Sequence, residues 1–243
     1  MATIGPVPVT TAGAATAREA PGREAIDEMA EVFEFLQKGG VIMIPIALGS
    51  VVALAIFLER VWSLQQGRVI PPGLVDAVVR LVESGEPKTA RDECLRSNTP
   101  ASRLLLGALE MRGVSREDMR GHVEELGKRE VARMERYIEA MGTIASVEPL
   151  LGLLGTVIGM IQVFQQVVLT ARQGAVDPGQ LANGIWQALI TTAAGLSVAI
   201  IAFVGYRYLL SRSARHALTM EEAAGRLIDI LAPPSRANEG AVP

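Results

Sequence analysis

The sequence predicts an all-α integral membrane protein, with three transmembrane helices and long helices extending into a cytoplasmic helical domain. Three observations carry this. Of the 243 residues 49% are hydrophobic and the mean hydropathy is +0.31, yet 20% are charged. The apolar residues must therefore be gathered into segments rather than spread through an ordinary soluble core. Three long runs, 39–58, 140–171 and 178–206, contain one charge between them, and each reaches the ~20 residues a helix needs to cross about 30 Å of hydrocarbon. Finally, the stretch between the first two runs is rich in charge and has apolar positions at helical spacing, punctuated by proline and glycine.

Composition also excludes functions. A net charge of −3 gives no general affinity for nucleic acid. One cysteine, Cys94, allows no internal disulfide, and two distant histidines, His122 and His216, provide neither a metal set nor a catalytic triad. No cofactor motif is present. An intramembrane protease would need a Ser–His pair or two membrane aspartates; His216 lies outside the runs and no aspartate lies inside them. The chain is not expected to be an enzyme.

In chain order, residues 1–23 are Ala-, Thr-, Pro- and Gly-rich and read as a disordered tail. Over 24–38, Ile26, Met29, Ala30 and Phe33 recur at helical spacing among acids. Two readings stand, an amphipathic helix on the outer membrane face or an extension of the first span. Residues 39–58, "GGVIMIPIALGSVVALAIFL", are the first span, with Pro45 expected to kink it locally and Glu59, Arg60 and Trp62 as interfacial anchors. Residues 59–139 form the cytoplasmic helical domain. There "PPGLVDAVVRLVESG", "EPKTARDECLRSN" and "PASRLLLGALEMRG" are three short helices, with Cys94 a buried small residue. Ser115 and Asp118 form a capping box that opens one long helix, with no proline until Pro149.

Residues 140–171 and 178–206 are the second and third spans. The Gly-, Asp- and Pro-containing turn between them makes an antiparallel hairpin. A further helix is expected over 207–232 and a disordered tail over 233–243. Lys and Arg concentrate at Arg60, Arg68, Arg129, Arg133, Arg136, Arg207, Arg212 and Arg215. By the positive-inside rule, 59–139 and the C-terminus are expected to be cytoplasmic, and the N-terminus and hairpin loop to lie outside, on the periplasmic side in the bacterial setting that the resemblance below implies.

The chemistry concentrates in the hairpin. Glu148, Gly152, Gly155, Gly159 and Val163 fall on one face of the second span, flanked by Thr156. Small residues at such spacing let helix backbones approach closely. On the third span Asn183, Gln187, Thr191 and Ala194 share a face, with Thr192 and Gly195 beside it. Polar groups on an uncharged helix belong in a bundle interior or against water. Glu148 is the one acid inside the runs. A charge at the bilayer centre costs roughly 2.5–3.5 kcal/mol on insertion scales. Glu148 therefore either faces a polar path within the membrane or marks the cytoplasmic interface. Pro149 removes an amide and frees the carbonyl of Ala145, which makes the spot more polar.

"PLLGLLGTVIGM" followed by "GIWQALITTAAGLSVAI" resembles the MotA/TolQ/ExbB proton-channel family, in its three-span ExbB/TolQ branch. The resemblance runs from the first span to about Tyr208. It implies a subunit of the bacterial inner membrane that assembles as a homo-oligomer, a pentamer, around a single-span partner similar to ExbD or TolR. Ion flow, of protons or sodium, would there drive work on a periplasmic or outer-membrane system. An aspartate on the partner would carry the ion, and channel-lining threonines map onto Thr156 and Thr192. The third-span glutamate common in the family is replaced here by Gln187, while an acid appears at Glu148. The ion pathway expected is Glu148, Thr156, Gln187, Thr191 and Thr192; Gly152, Gly155, Gly159 and Gly195 serve helix packing, with the glycine stripe expected to hold the oligomer. The alternative is a non-conducting oligomeric membrane scaffold.

Overall fold

The computed structural model describes residues 40–171 and 178–233. The expected tail at 1–23, the interfacial helix at 24–38, the hairpin turn at 172–177 and the C-terminal tail beyond 233 lie outside the described residues. Within them are seven helices and no strand: α1 (Met43–Ser63), α2 (Gln66–Val69), α3 (Leu74–Glu83), α4 (Pro87–Ser97), α5 (Pro100–Glu110), α6 (Arg116–Ala171) and α7 (Pro178–Leu231). Three of them, α1, α6 and α7, are long and apolar enough to cross a membrane. The chain is an all-α membrane protein.

The frame is the antiparallel pair α6 and α7, 56 and 54 residues long, or about 80 Å each. The register holds from end to end. Arg116 bonds to Asp229 and to the carbonyl of Ala232, Gly142 faces Tyr206, Gly159 faces Ala188, and Gly184 faces Val163. The separate helix expected over 207–232 is instead the continuation of the third span. Hydropathy changes at Arg207 but nothing breaks the backbone, and Leu209, Ser213, His216, Met220, Ala223 and Leu227 stay buried at helical spacing. Likewise Pro149 lies inside α6 without ending it.

α1 is shifted from the expected 39–58. Gly40 has a left-handed φ of 71°, so the helix starts after it. Pro45 is then the third residue of α1, in the first turn, where amides have no intrahelical partner in any case; the expected kink has no cause. The helix runs on past Glu59 to Ser63. Arg60 pairs with Glu59 at 3.0 Å and lies 4.5 Å from the Tyr137 ring of α6, which lets a charged residue be buried there. Two side chains of α7 close the end of α1: Arg212 Nε and His216 Nε2 each donate to the carbonyl of Leu64 at 2.8 Å. Basic groups at a helix C-terminus satisfy its free carbonyls and complement its dipole.

Beyond the spans, α5 packs against both α6 and α7 and α3 against α7, while α4 packs on α3 and α5. The core there includes Leu64, Val78, Cys94, Leu105, Met119, Leu209 and Leu227. α5 opens with reciprocal capping, Thr99 to the Ser102 amide and Ser102 to the Thr99 amide. At the start of α6, Ser115 accepts from the Asp118 amide and donates to its carboxylate at 2.6 Å. A fork joins the layers: Arg103 Nε and Nη2 reach the two oxygens of the buried Glu130 at 3.0 and 2.6 Å, and Arg103 Nη1 also reaches Asn98, where α4 ends in a left-handed turn. Burial, then the neighbouring charge of Glu93, pushes the Cys94 thiol up to about 11, as befits an inert packing residue.

Candidate functional site

The glycine face of α6 is seated on α7 of the same chain. A side chain at Gly155 would place its Cβ 2.7 Å from Thr191 Cβ; at Gly159, 2.9 Å from Ala188 Cβ; at Gly195, 2.6 Å from the carbonyl oxygen of Glu148 and 3.1 Å from Gly152 Cα. Those contacts are closer than carbon atoms tolerate, so only glycine lets the two backbones touch. The stripe is thus consumed within the hairpin, and this corrects the expectation that it holds copies together.

The hydroxyls on this seam have distinct roles. Thr192 Oγ1 donates across the hairpin to the carbonyl of Gly152 at 2.9 Å. Thr191, 1% exposed, donates to Ala188 of its own helix at 2.7 Å, and the half-buried Thr156 donates to Leu153 at 2.7 Å. In a medium without water such local bonds satisfy a hydroxyl and leave its lone pairs facing the seam.

Glu148 and Gln187 reach past the hairpin toward α1. The Gln187 amide lies beside Gly40, 2.6 Å from where a Cβ there would stand. Glu148, 2% exposed, lies against Gly49; its Cδ is 3.1 Å from the position of a Cβ on that residue. Its Oε2 is fully buried and accepts no hydrogen bond among the described residues. This contact fixes the level of the carboxylate. Gly49 lies ten residues before Glu59, about 15 Å along α1. Glu148 is therefore level with the apolar first half of α1 rather than with its charged end. Among the described residues, no cluster of three His, Cys, Asp or Glu side chains stands ready for a metal ion.

Sequence reasoning missed Gly49 and Gly40, although a glycine in the middle of an apolar run was a usable sign of close approach. It also missed the Arg212–His216 clasp on Leu64 and the Arg103–Glu130 fork, which join residues far apart in the chain and have no local signature.

The fold and this site define a class: a three-span helical membrane subunit whose hairpin is sealed by glycine and lined with hydroxyls and one acid. A profile of the MotA/TolQ/ExbB proton channel family matches residues 96–222. The chain is 40% identical over 184 residues to "Putative biopolymer transport protein ExbB-like 1" of Synechocystis, covering 73% of this chain and 70% of that protein. It is 34% identical to "Putative biopolymer transport protein ExbB homolog" of Methanothermobacter thermautotrophicus, over 74% of this chain and 63% of the relative. Over 101 residues, 42% of this chain and 41% of the relative, it is 37% identical to "Tol-Pal system protein TolQ" of Haemophilus influenzae. The chain belongs to the MotA/TolQ/ExbB family.

Proposed function

We propose that this chain is the ion-conducting subunit of a complex that energises biopolymer transport. Protons, or sodium ions, would move down their gradient across the bacterial inner membrane, and the movement would drive work on a periplasmic or outer-membrane system. The working form is a homo-oligomer, a pentamer, around a single-span partner similar to ExbD or TolR. The N-terminus and the hairpin loop are periplasmic, and residues 59–139 with the C-terminus are cytoplasmic. Family membership and relatives named for biopolymer transport support this reading. The observation that carries it is the buried, hydroxyl-lined seam with its lone acid in the middle of three apolar helices. A helix pair needing packing alone has no use for a carboxylate there. The path assigned is Glu148, Thr156, Gln187, Thr191 and Thr192.

With the glycine stripe consumed in the hairpin, the outward residues of α6 and α7, such as Leu153, Val157, Leu189 and Ile200, are the surfaces left for neighbouring copies and lipid. The test is partner-dependent ion flux in proteoliposomes. Thr192→Val and Glu148→Gln are expected to lower flux while native mass spectrometry still shows the assembled complex. Undiminished flux in both would remove these residues from the path, and absence of any flux with partner bound would favour the scaffold. For topology, Ala175→Cys is expected to label from the periplasmic side and Ser84→Cys only after permeabilisation.

A further inference from the structure

The geometry points to a proton-binding site inside the subunit itself: the Glu148 carboxyl, enclosed between α1, α6 and α7, holds a proton beneath α1, apart from any acid a partner supplies. As a step in conduction this site rests on the channel reading above; as a binding site it does not.

Three observations converge. First, Glu148 is 2% exposed, and its Oε2 is fully buried without a donor among the described residues. Second, no countercharge is near among the described residues. Glu148 is the sole titratable residue in 43–58, 140–171 and 178–205, the stretches that surround it. The first charged groups beyond are Glu59 on α1, Glu139 and Arg136 on α6, and Arg207 on α7, opposite Gly195 and twelve residues on. They stand about 13–18 Å away along the helices. A carboxylate enclosed in this way is too costly to leave uncompensated. Third, α1 closes the site by contact. Gly49 is where it lies against the carboxyl, and any side chain on that residue would run into the carboxyl oxygen. At the same level Gly195 of α7 packs on the main chain of Glu148 and Gly152, which holds α7 against α6.

The occupant is a proton rather than a metal ion. A hard cation needs several oxygen ligands. The wall beside Gly49 includes the Ile144 methyl, and among the described residues no second acid, histidine or cysteine joins Glu148 to make a ligand set. A proton needs one oxygen. It can enter or leave only when Gly49 of α1 lifts from the carboxyl or water reaches the seam, so α1 acts as the cover of the site.

The test uses the full chain in native membranes or co-purified with its partner. Dicyclohexylcarbodiimide partitions into the bilayer and adds to a protonated carboxyl, giving a stable N-acylurea, whereas a carboxylate does not react. The expected result at neutral pH is an adduct on the peptide carrying Glu148, absent in Glu148→Gln and reduced at least tenfold in Gly49→Leu, where the carboxyl is displaced. Because the reagent must reach the group, infrared spectroscopy gives a second reading: a carboxylic C=O band sensitive to heavy water and missing in Glu148→Gln. Neither adduct nor band at neutral pH overturns the site. So does labelling suppressed by sodium but not potassium at fixed pH, which would mean a metal ion is bound. An adduct with undiminished flux in Glu148→Gln leaves the site standing and removes Glu148 from conduction. Lost flux without adduct or band leaves the channel reading and ends this one.

Discussion

Replacing Gly195 by alanine measures how far the hairpin depends on backbone contact. The new Cβ would stand 2.6 Å from the carbonyl oxygen of Glu148 and 3.1 Å from both N and Cα of Gly152. A relaxed carbon–oxygen contact is about 3.3–3.6 Å. All three neighbours are backbone atoms that cannot swing aside, so α6 and α7 must separate by roughly 0.7–1 Å. The bond from Thr192 Oγ1 to Gly152 O, 2.9 Å at present, would then lengthen beyond hydrogen-bonding range. An interhelical bond in a membrane contributes about 0.6 kcal/mol on average, and overpacking costs about 1–3 kcal/mol. Alanine's better helix propensity returns up to about 1 kcal/mol. The net loss expected is about 1–3 kcal/mol. The assay is reversible unfolding in mixed micelles with increasing SDS, followed by helicity and by tryptophan fluorescence. A Gly195→Ala midpoint equal to or above that of the unmodified protein would refute the argument that this glycine is required by close approach.

Gly225→Ala and Gly121→Ala should act in the opposite direction, because a Cβ at either helical position meets nothing within 4 Å; each is expected to stabilise by a few tenths to about 1 kcal/mol in the same assay. Arg103→Ala should cost about 1–3 kcal/mol, since Glu130 is buried and keeps Arg133 as its remaining partner; an Arg103→Met, Glu130→Leu double variant should recover most of the loss in thermal unfolding. Cys94 predicts a pH dependence: with its thiol raised to about 11 in the folded protein, the unfolded chain sheds this proton first as pH rises from about 8.5. Its contribution to stability therefore falls between that pH and 11, and Cys94→Ala should flatten the decline in a pH series of unfolding midpoints. In the native state at neutral pH the same thiol should react slowly with maleimide, and rapidly once unfolded.

The sequence by itself determined that three apolar stretches cross a membrane, that the two latter ones form a hairpin, and that one face of each is small or polar. These properties follow from composition and period along a single helix, which local sequence specifies fully. It also placed the three short helices of the 59–139 segment, because proline, glycine and capping residues act within a turn of where they stand. It did not show that the third span runs unbroken to Leu231, since a change from apolar to charged residues alters the solvent a helix prefers, not its hydrogen bonding. Nor could it assign partners to faces. The glycines at 152, 155 and 159 announced close packing, but against α7 of the same chain or against another copy they would read identically. Glu148 could be interfacial or central on the residue count of its own helix alone. What the tertiary structure adds is its neighbour, Gly49 in the apolar first half of α1, about 15 Å short of the charged end of that helix. Depth and burial depend on the mutual register of three helices, and that register is set by contacts between residues a hundred positions apart.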